Sequence, residues 1–300
     1  MRSITKLMKD AKIIAIVGPT ASGKTSLAIG IAKKYNGEVI SVDSRQVYKT
    51  LDIGTEKVTE EEMDGIPHHM IDIVEPEETF SVQEFQKMAK EKIKDIISRN
   101  KLPILAGGSG QYMDAVLYDG AFPVVPPNEK LREELEDVPT TALFKILQSQ
   151  DPARAETIDP KNKRRLIRAL EIVEALGEVP KQEKAEPLYD TLYLGIEISR
   201  ENIREKITKR LSETIKKGLV EETKMLRERV GDKRLDAFGL EYRVIKEYLD
   251  ETIAEEDLIP KLISELMGYA KRQMTWFKRN KDVAWGTKEN LLEKVGSYLA

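Results

Sequence analysis

Gly18-Pro19-Thr20-Ala21-Ser22-Gly23-Lys24-Thr25 satisfies the pattern G-x-x-x-x-G-K-[ST] in full. Glycines in such a loop let the backbone curl until successive amides point inward at phosphate oxygens, and the N-terminus of a following helix adds positive potential. Lys24 is then placed to bridge phosphate oxygens, and the Thr25 hydroxyl to hold a magnesium ion. The cradle recognises a diphosphate and is blind to what lies beyond it, so ATP and GTP, its usual guests, are only two of its options. A nucleotide hydrolase of this type also carries a strand ending in an acidic magnesium ligand. Here the apolar run Leu102–Ala106 ends instead in Gly107-Gly108-Ser109-Gly110, and Asp72, after Met70-Ile71, is the weaker stand-in.

Asp43 is the second candidate, within Ser41-Val42-Asp43-Ser44-Arg45-Gln46-Val47-Tyr48. It follows a short apolar run, and strand ends on that side of an open α/β sheet form the ligand crevice. A carboxylate facing the cradle can accept a proton from an incoming nucleophile. It can equally well cap the turn that follows.

These residues need elements to hold them, and the hydrophobic pattern supplies an alternation of strands and helices. Lys12–Val17 reads as a buried parallel strand bounded by Gly18-Pro19, and Thr25–Tyr35 as a helix with Leu27, Ile31 and Ala32 at helical spacing. Glu38–Val42 and Leu102–Ala106 are further strands. Between them Ser81 caps a helix to Arg99 that turns Phe85, Met88, Ile93, Ile96 and Ile97 inward. From Gly120 the character changes. Pro123, Pro126 and Pro127 stiffen the chain, and the segment to about Asp190 has short helical patterns but no strand until Thr191–Ile198. Its longest helix is Lys163–Leu176, with Leu166, Ile167, Leu170, Val173 and Leu176 on one face and Gly177 as its stop. From Ser199 the chain is mainly helical, apart from a last strand at Val283–Trp285. The expected class is α/β, a P-loop core with a parallel sheet flanked by helices plus an inserted small helical domain. The core is residues 1–119 and 191–300 and the insertion 120–190.

Composition narrows the chemistry. There is no cysteine, which removes disulfides, a thiol nucleophile and cysteine-based zinc sites. His68 and His69 are the only histidines, and a neighbouring pair on a strand does not share one metal, so they are read as structural or as loop contacts to substrate. The polar start and the shortness of the run Ile13–Val17 argue against a signal peptide, and no stretch approaches a membrane span. A cytoplasmic monomer with no membrane partner is the expectation. The net charge of −3 does not announce a nucleic-acid binder, so an RNA partner would have to meet local basic patches.

Together with the P-loop, the stretches SVDSRQVYKTLDIGT (41–55), PHHMID (67–72), FSVQEF (80–85), LAGGSGQY (105–112), DPARAETIDPKNKRRLIRALEI (151–172) and YAKRQMTWFKR (269–279) resemble the tRNA dimethylallyltransferases, also called tRNA isopentenyltransferases. The resemblance runs over nearly the whole chain. It implies transfer of a dimethylallyl group from dimethylallyl diphosphate to N6 of the adenine beside the tRNA anticodon, on its 3′ side. Gly18 to Thr25 would hold the diphosphate, with Mg2+ on Thr25. Lys24, Thr25, Asp43 and Arg210 would be the catalytic residues, Asp43 as the base. The anticodon stem-loop would meet Asp43, Ser44, Arg45, Gln46, Ser109, Arg164, Arg165, Arg168 and Arg272. Arg210 lies at the edge of a helical face made by Ile203, Ile207, Leu211 and Ile215, where its stem can simply pack along apolar surface. The family's diphosphate-binding arginine falls in this helix. Many relatives have two arginines there, and this chain has Lys206 at the first position and Arg210 at the second.

Two basic patches are available for RNA. Lys161, Lys163, Arg164, Arg165 and Arg168 form a single-sign block at the start of the insertion helix, the pattern of a phosphate-backbone contact. Lys271, Arg272, Lys278 and Arg279 alternate with Tyr269, Trp276 and Phe277, aromatics that can stack bases or pack as a buried helix face, the latter preferred for Trp276 or Phe277. Phe238–Arg243 reads Leu-Glu-Tyr-Arg where relatives usually read Gly-Tyr-Arg. The motif alone also admits a small-metabolite kinase, or an RNA-binding protein with a structural nucleotide.

Overall fold

The computed structural model describes residues 9–120, 123, 125–180 and 186–300; the polar start, Met1–Met8, lies outside them. The chain divides into two compact units, one running to Leu117 and resuming over Pro187–Ala300, the other Tyr118–Glu186.

The larger unit opens with β1 (Lys12–Val17), α1 (Lys24–Lys34), β2 (Gly37–Ser41), α2 (Glu60–Met63), β3 (His68–His69), α3 (Val82–Ser98), β4 (Leu102–Ala106) and α4 (Gly110–Leu117). The smaller unit holds α5 (Glu129–Glu136), α6 (Thr140–Gln150), α7 (Pro152–Ala155) and α8 (Lys163–Leu176). The larger unit then resumes with β5 (Asp190–Ile196), α9 (Arg200–Lys216), α10 (Leu219–Leu235), α11 (Leu240–Leu249), α12 (Glu255–Phe277), β6 (Ala284–Gly286) and α13 (Lys288–Leu299).

One six-stranded sheet, all parallel, runs in the order β3-β2-β4-β1-β5-β6. β-branched residues fill β1 and are buried on both pleats, as a strand covered by helices on both faces requires. Ile14, Ile16, Val39, Ile104 and Leu194 pack from one pleat with α1 and α13. Because every strand points the same way, the loops after β1, β2 and β4 emerge at a single edge, where chemistry can collect. A helical layer built on α9, α11 and α12 has its own core, including Ile207, Leu211, Ile245, Leu262 and Leu266.

Capping explains the long helices. Ser81 and Glu84 form a reciprocal capping box at the start of α3, with Glu84 N–H donating to Ser81 Oγ at 3.2 Å and Ser81 N–H to Glu84 Oε2 at 2.7 Å. In the smaller unit Asn162 caps α8 by accepting from Arg165 N–H at 3.1 Å, and Leu143, Leu147, Leu166 and Leu170 make the core.

Two inward assignments fail. Met88 is exposed because the buried stripe of α3 runs through Phe85, Ala89, Ile93 and Ile96, and Met88 falls to its side. Leu176 is exposed as the last residue of α8. The two-residue edge strand at His68–His69 had no hydrophobic run to announce it. Among the described residues no helix is long and apolar enough to cross a membrane.

Candidate active site

The cradle forms as the motif demands, between β1 and α1. Gly23 is the N-cap of α1 at φ 90°, a left-handed conformation suited to glycine, and no side chain caps the helix, so the first amides of α1 are left to a ligand. Lys24 Nζ donates back to Pro19 O at 2.7 Å. Burial pulls its ammonium down to about 8, with the Asp43 carboxylate opposing the shift and Arg210 adding to it. Ser22 is buried beneath the loop with its hydroxyl unpartnered. A cavity of about 310 Å³ opens over the loop, lined by Thr20, Ala21, Gly23, Lys24 and Thr25 together with Asp43, Gln46 and Arg210. Residues of three separate sequence stretches therefore meet at one place.

Asp43 stands where both of its sequence readings need it, at the turn and at the cavity. Its Oδ1 accepts from Arg45 N–H at 2.8 Å and Gln46 N–H at 3.3 Å, which caps the turn and fixes the carboxylate plane. The same carboxylate lines the cavity. Gln46 is held inside the fold, accepting from Ser41 Oγ at 2.9 Å and donating from Nε2 to Thr55 O at 3.1 Å and Glu56 O at 3.2 Å. Ser44 N–H donates to Ser109 Oγ at 3.2 Å, and Tyr269 lines the cavity. Neither serine lines the cavity itself, nor does half-buried Arg45.

Arg210 enters from α9, where Ile203, Ile207 and Leu211 are buried, and it is itself largely buried at 20% side-chain exposure. Its Nη1 donates to Thr20 Oγ1 at 3.0 Å, so the guanidinium reaches the cradle. Burial pulls it down to about 10, against the field of Glu241, and it stays charged at neutral pH. Glu56 forms an ion pair with Arg210. Glu241, in the segment where this chain reads Leu-Glu-Tyr-Arg, is pushed by burial up to about 7 beside Arg210 and Asp43.

Several residues of the site were not singled out from the sequence. Gln273, 6% exposed on α12, accepts from Thr20 N–H at 2.8 Å and donates to Gly108 O at 3.0 Å, tying the crest of the cradle to the loop after β4. A Cβ on Gly108 would stand 2.1 Å from Gln273 Nε2, so the close approach needs glycine there. Glu222, on α10, accepts the amides of Asp52, Ile53 and Gly54 at 3.0, 2.7 and 2.9 Å and the Tyr242 hydroxyl at 2.8 Å. It thereby holds the turn that carries Thr55 and Glu56. Both Gln273 and Glu56 lie in or next to motif stretches, but their partners are far away in sequence. Away from the cradle, Val39, Val58, Ile71 and Ala106 make an apolar wall with His68, which burial pulls below its ordinary value.

Asp72 is not part of the site. It pairs with Lys57 at 2.5 Å and does not line the cavity, so its stand-in role for a magnesium ligand falls away. His69 pairs with buried Glu38 at 2.7 Å, a structural role. Of the basic-aromatic patch on α12, Phe277 is buried, while Trp276 is half-buried and donates from Nε1 to Asp114 at 3.0 Å. Arg279 stacks over Trp276 at 4.0 Å, and Arg272 is exposed with its guanidinium 5.9 Å from the Tyr269 ring. In the smaller unit Arg164 and Arg165 are exposed. Arg168 instead donates to Val125 O at 2.7 Å and pairs with buried Glu171 at 3.2 Å, so it serves that unit's own packing.

Comparison with known proteins agrees with this geometry. The sequence model of the IPP transferase family matches residues 46–280. A tRNA dimethylallyltransferase of Anoxybacillus flavithermus is 43% identical over 280 residues, covering 91% of this chain and 89% of that protein. One from Caldanaerobacter subterraneus is 43% identical over 310 residues, 96% of this chain and 98% of that protein. Among solved structures, a tRNA delta(2)-isopentenylpyrophosphate transferase from Staphylococcus epidermidis superposes with a TM-score of 0.71 at 40% identity, over 97% of this chain and 99% of that one. A eukaryotic dimethylallyltransferase acting on tRNA superposes with a TM-score of 0.80 at 28% identity, over 93% of this chain and 74% of that one. With a family match across most of its length and a phosphate cradle facing a carboxylate and an arginine, this chain belongs to the IPP transferase family.

Proposed function

We propose that this chain transfers the dimethylallyl group of dimethylallyl diphosphate to N6 of the adenine 3′-adjacent to the tRNA anticodon, releasing diphosphate. The observation that carries the reading is the single cavity in which the P-loop, Asp43 and Arg210 meet. Ala21 to Thr25 and Arg210 suit a leaving diphosphate, since cationic and amide donors are aimed where negative charge develops as the C1–O bond breaks. The electron pair of that bond leaves on the diphosphate oxygen. N6 supplies the pair for the new N–C1 bond and loses a proton.

Asp43 is the acceptor for that proton. One of its oxygens is held by two backbone amides, which aims the carboxylate without engaging the other oxygen there. The adenine must leave its stack to reach the cavity. The apolar wall of Val39, Val58, Ile71 and Ala106 gives the hydrocarbon a dry surface. Magnesium suits the site's hard oxygen donors; Thr25 would hold it, and when bound it would neutralise charge on the diphosphate. Exposed Arg164, Arg165 and Arg272 are the candidates for tRNA phosphates.

The test incubates the protein with unmodified tRNA, magnesium and labelled dimethylallyl diphosphate. Label recovered on the adenine beside the anticodon is the expected result. No label in tRNA, with phosphate moving from ATP to a small acceptor instead, would replace this reading with a kinase.

A further inference from the structure

Arg210 and Glu56 hold an arrangement that the transfer chemistry does not itself require. Arg210 Nε lies against Glu56 Oε1 as an ion pair on the cavity wall. Its Nη1, in contrast, is well bonded to Thr20 Oγ1 at 3.0 Å. The guanidinium is thus fixed at the cradle by one nitrogen and neutralised at another by a carboxylate.

The fold aims that carboxylate. Glu56 has φ 52°, a left-handed backbone that a non-glycine residue adopts only when its surroundings impose it. The surroundings are explicit. Glu56 N–H donates to Ile53 O at 3.2 Å, its carbonyl accepts from Gln46 Nε2 at 3.2 Å, and Glu222 clamps the three preceding amides of the turn. With its backbone so held, Glu56 lines the same cavity as Lys24, Thr25 and Arg210. A carboxylate and a diphosphate would compete there for one guanidinium, and the diphosphate brings more negative charge and more acceptor oxygens than a single carboxylate.

Resting on the proposed diphosphate role of the cradle, we propose that Glu56 is an internal counter-anion that holds Arg210 until it is displaced by the incoming diphosphate. The exchange keeps Arg210 from standing as an unpaired buried cation between turnovers. It also weakens the grip on inorganic diphosphate, because Glu56 recaptures the arginine as the product departs. Glu56 is therefore a positioning residue that acts through Arg210 and favours release.

Calorimetric titration with inorganic diphosphate and magnesium reads this directly, on the full-length wild type, Glu56→Gln, Arg210→Ala and the double variant. Glu56→Gln should bind diphosphate roughly three- to tenfold more tightly, the scale of a partly exposed competing ion pair. In the Arg210→Ala background the same substitution should change the affinity by less than about twofold. Unchanged or weaker binding by Glu56→Gln would overturn the exchange. Equal tightening with and without Arg210 would also overturn it, since that would mark a general field effect. If none of the four proteins binds diphosphate, the reading of the cradle fails and this inference fails with it.

Discussion

At the scale of single residues, the site rests on groups whose charge is set by burial and by each other. Asp43 is held by the amides of Arg45 and Gln46, and the base role proposed for it would act in the transition state, where N6 gives up its proton. Asp43→Ala should lower kcat by about 10²–10⁴-fold while leaving tRNA affinity within a few-fold. Single-turnover kinetics beside a filter-binding titration would show it, and a wild-type kcat would remove Asp43 from the base role. Lys24 makes a different prediction. With its ammonium pulled down to about 8 by burial, the lysine is charged at neutral pH and loses its proton as pH rises through that value. If diphosphate is held by the charged form, as proposed, its Kd above that pH should climb by up to about tenfold per unit relative to a Lys24→Met variant. The variant supplies the baseline, since it retains diphosphate's own titration and lacks the lysine. Parallel pH profiles for the two proteins would show that Lys24 does not carry the binding charge.

At the scale of elements, the cavity is assembled by ties between segments that lack catalytic groups of their own. α10 contributes Glu222, which satisfies three backbone amides of the turn before Thr55 and is in turn bonded by Tyr242 from α11. Glu222→Ala would strand the buried Gly54 donor and the part-buried Asp52 and Ile53 donors, and each charge-assisted bond lost is worth about 1.5–3 kcal/mol. The expected result is a fall in stability on the order of 3 kcal/mol or more, read as a shift in the urea midpoint without a change in m. An equally stable variant would mean that the turn is held by its other bonds. α12 contributes Gln273, which ties Thr20 to Gly108. None of this was legible in advance. The helical periodicity of α12 shows which of its residues are buried, and α10 carries hardly any such pattern; in both, a buried Glu or Gln acquires its meaning from a partner more than a hundred residues away in the chain.

At the scale of the whole molecule, an acidic chain has to meet a polyanion. The net charge of −3 gives no general attraction, so the contact must be local. In the smaller unit Arg164 and Arg165 project from the first turn of α8, whereas Arg168 is bound to Glu171 and Val125. Neutralising Arg164 and Arg165 together should raise the KM for tRNA and reduce the log–log salt slope by about 0.7–0.9 for each phosphate contact removed. The KM for dimethylallyl diphosphate should stay put, because the cradle belongs to the other unit. Arg168→Ala should act differently, lowering stability by exposing the buried Glu171 to an incomplete set of partners. Unaltered tRNA binding by the Arg164, Arg165 double variant across a salt titration would assign both to solvated surface.

What the sequence determined by itself was local. The P-loop needs a strand, a glycine-bearing turn and a helix within one short stretch, and all three are written in Lys12–Lys34. The same holds for Ser81 as the cap of α3 and for the span of α8, Lys163–Leu176 with Gly177 as its stop. Asp43 could be placed near the cradle because parallel strands bring their following loops to one edge. Tertiary structure decided what those local signals leave open. It put Glu56 rather than Asp72 at the cavity, paired Asp72 with Lys57, and turned Arg168 inward to Glu171. It also brought Arg210 from packing stripe to cradle, through a bond to Thr20 that spans 190 residues. Charged side chains on helices and turns carry no periodicity that names a partner, so only the packed fold fixes which opposite charge or backbone amide lies within reach.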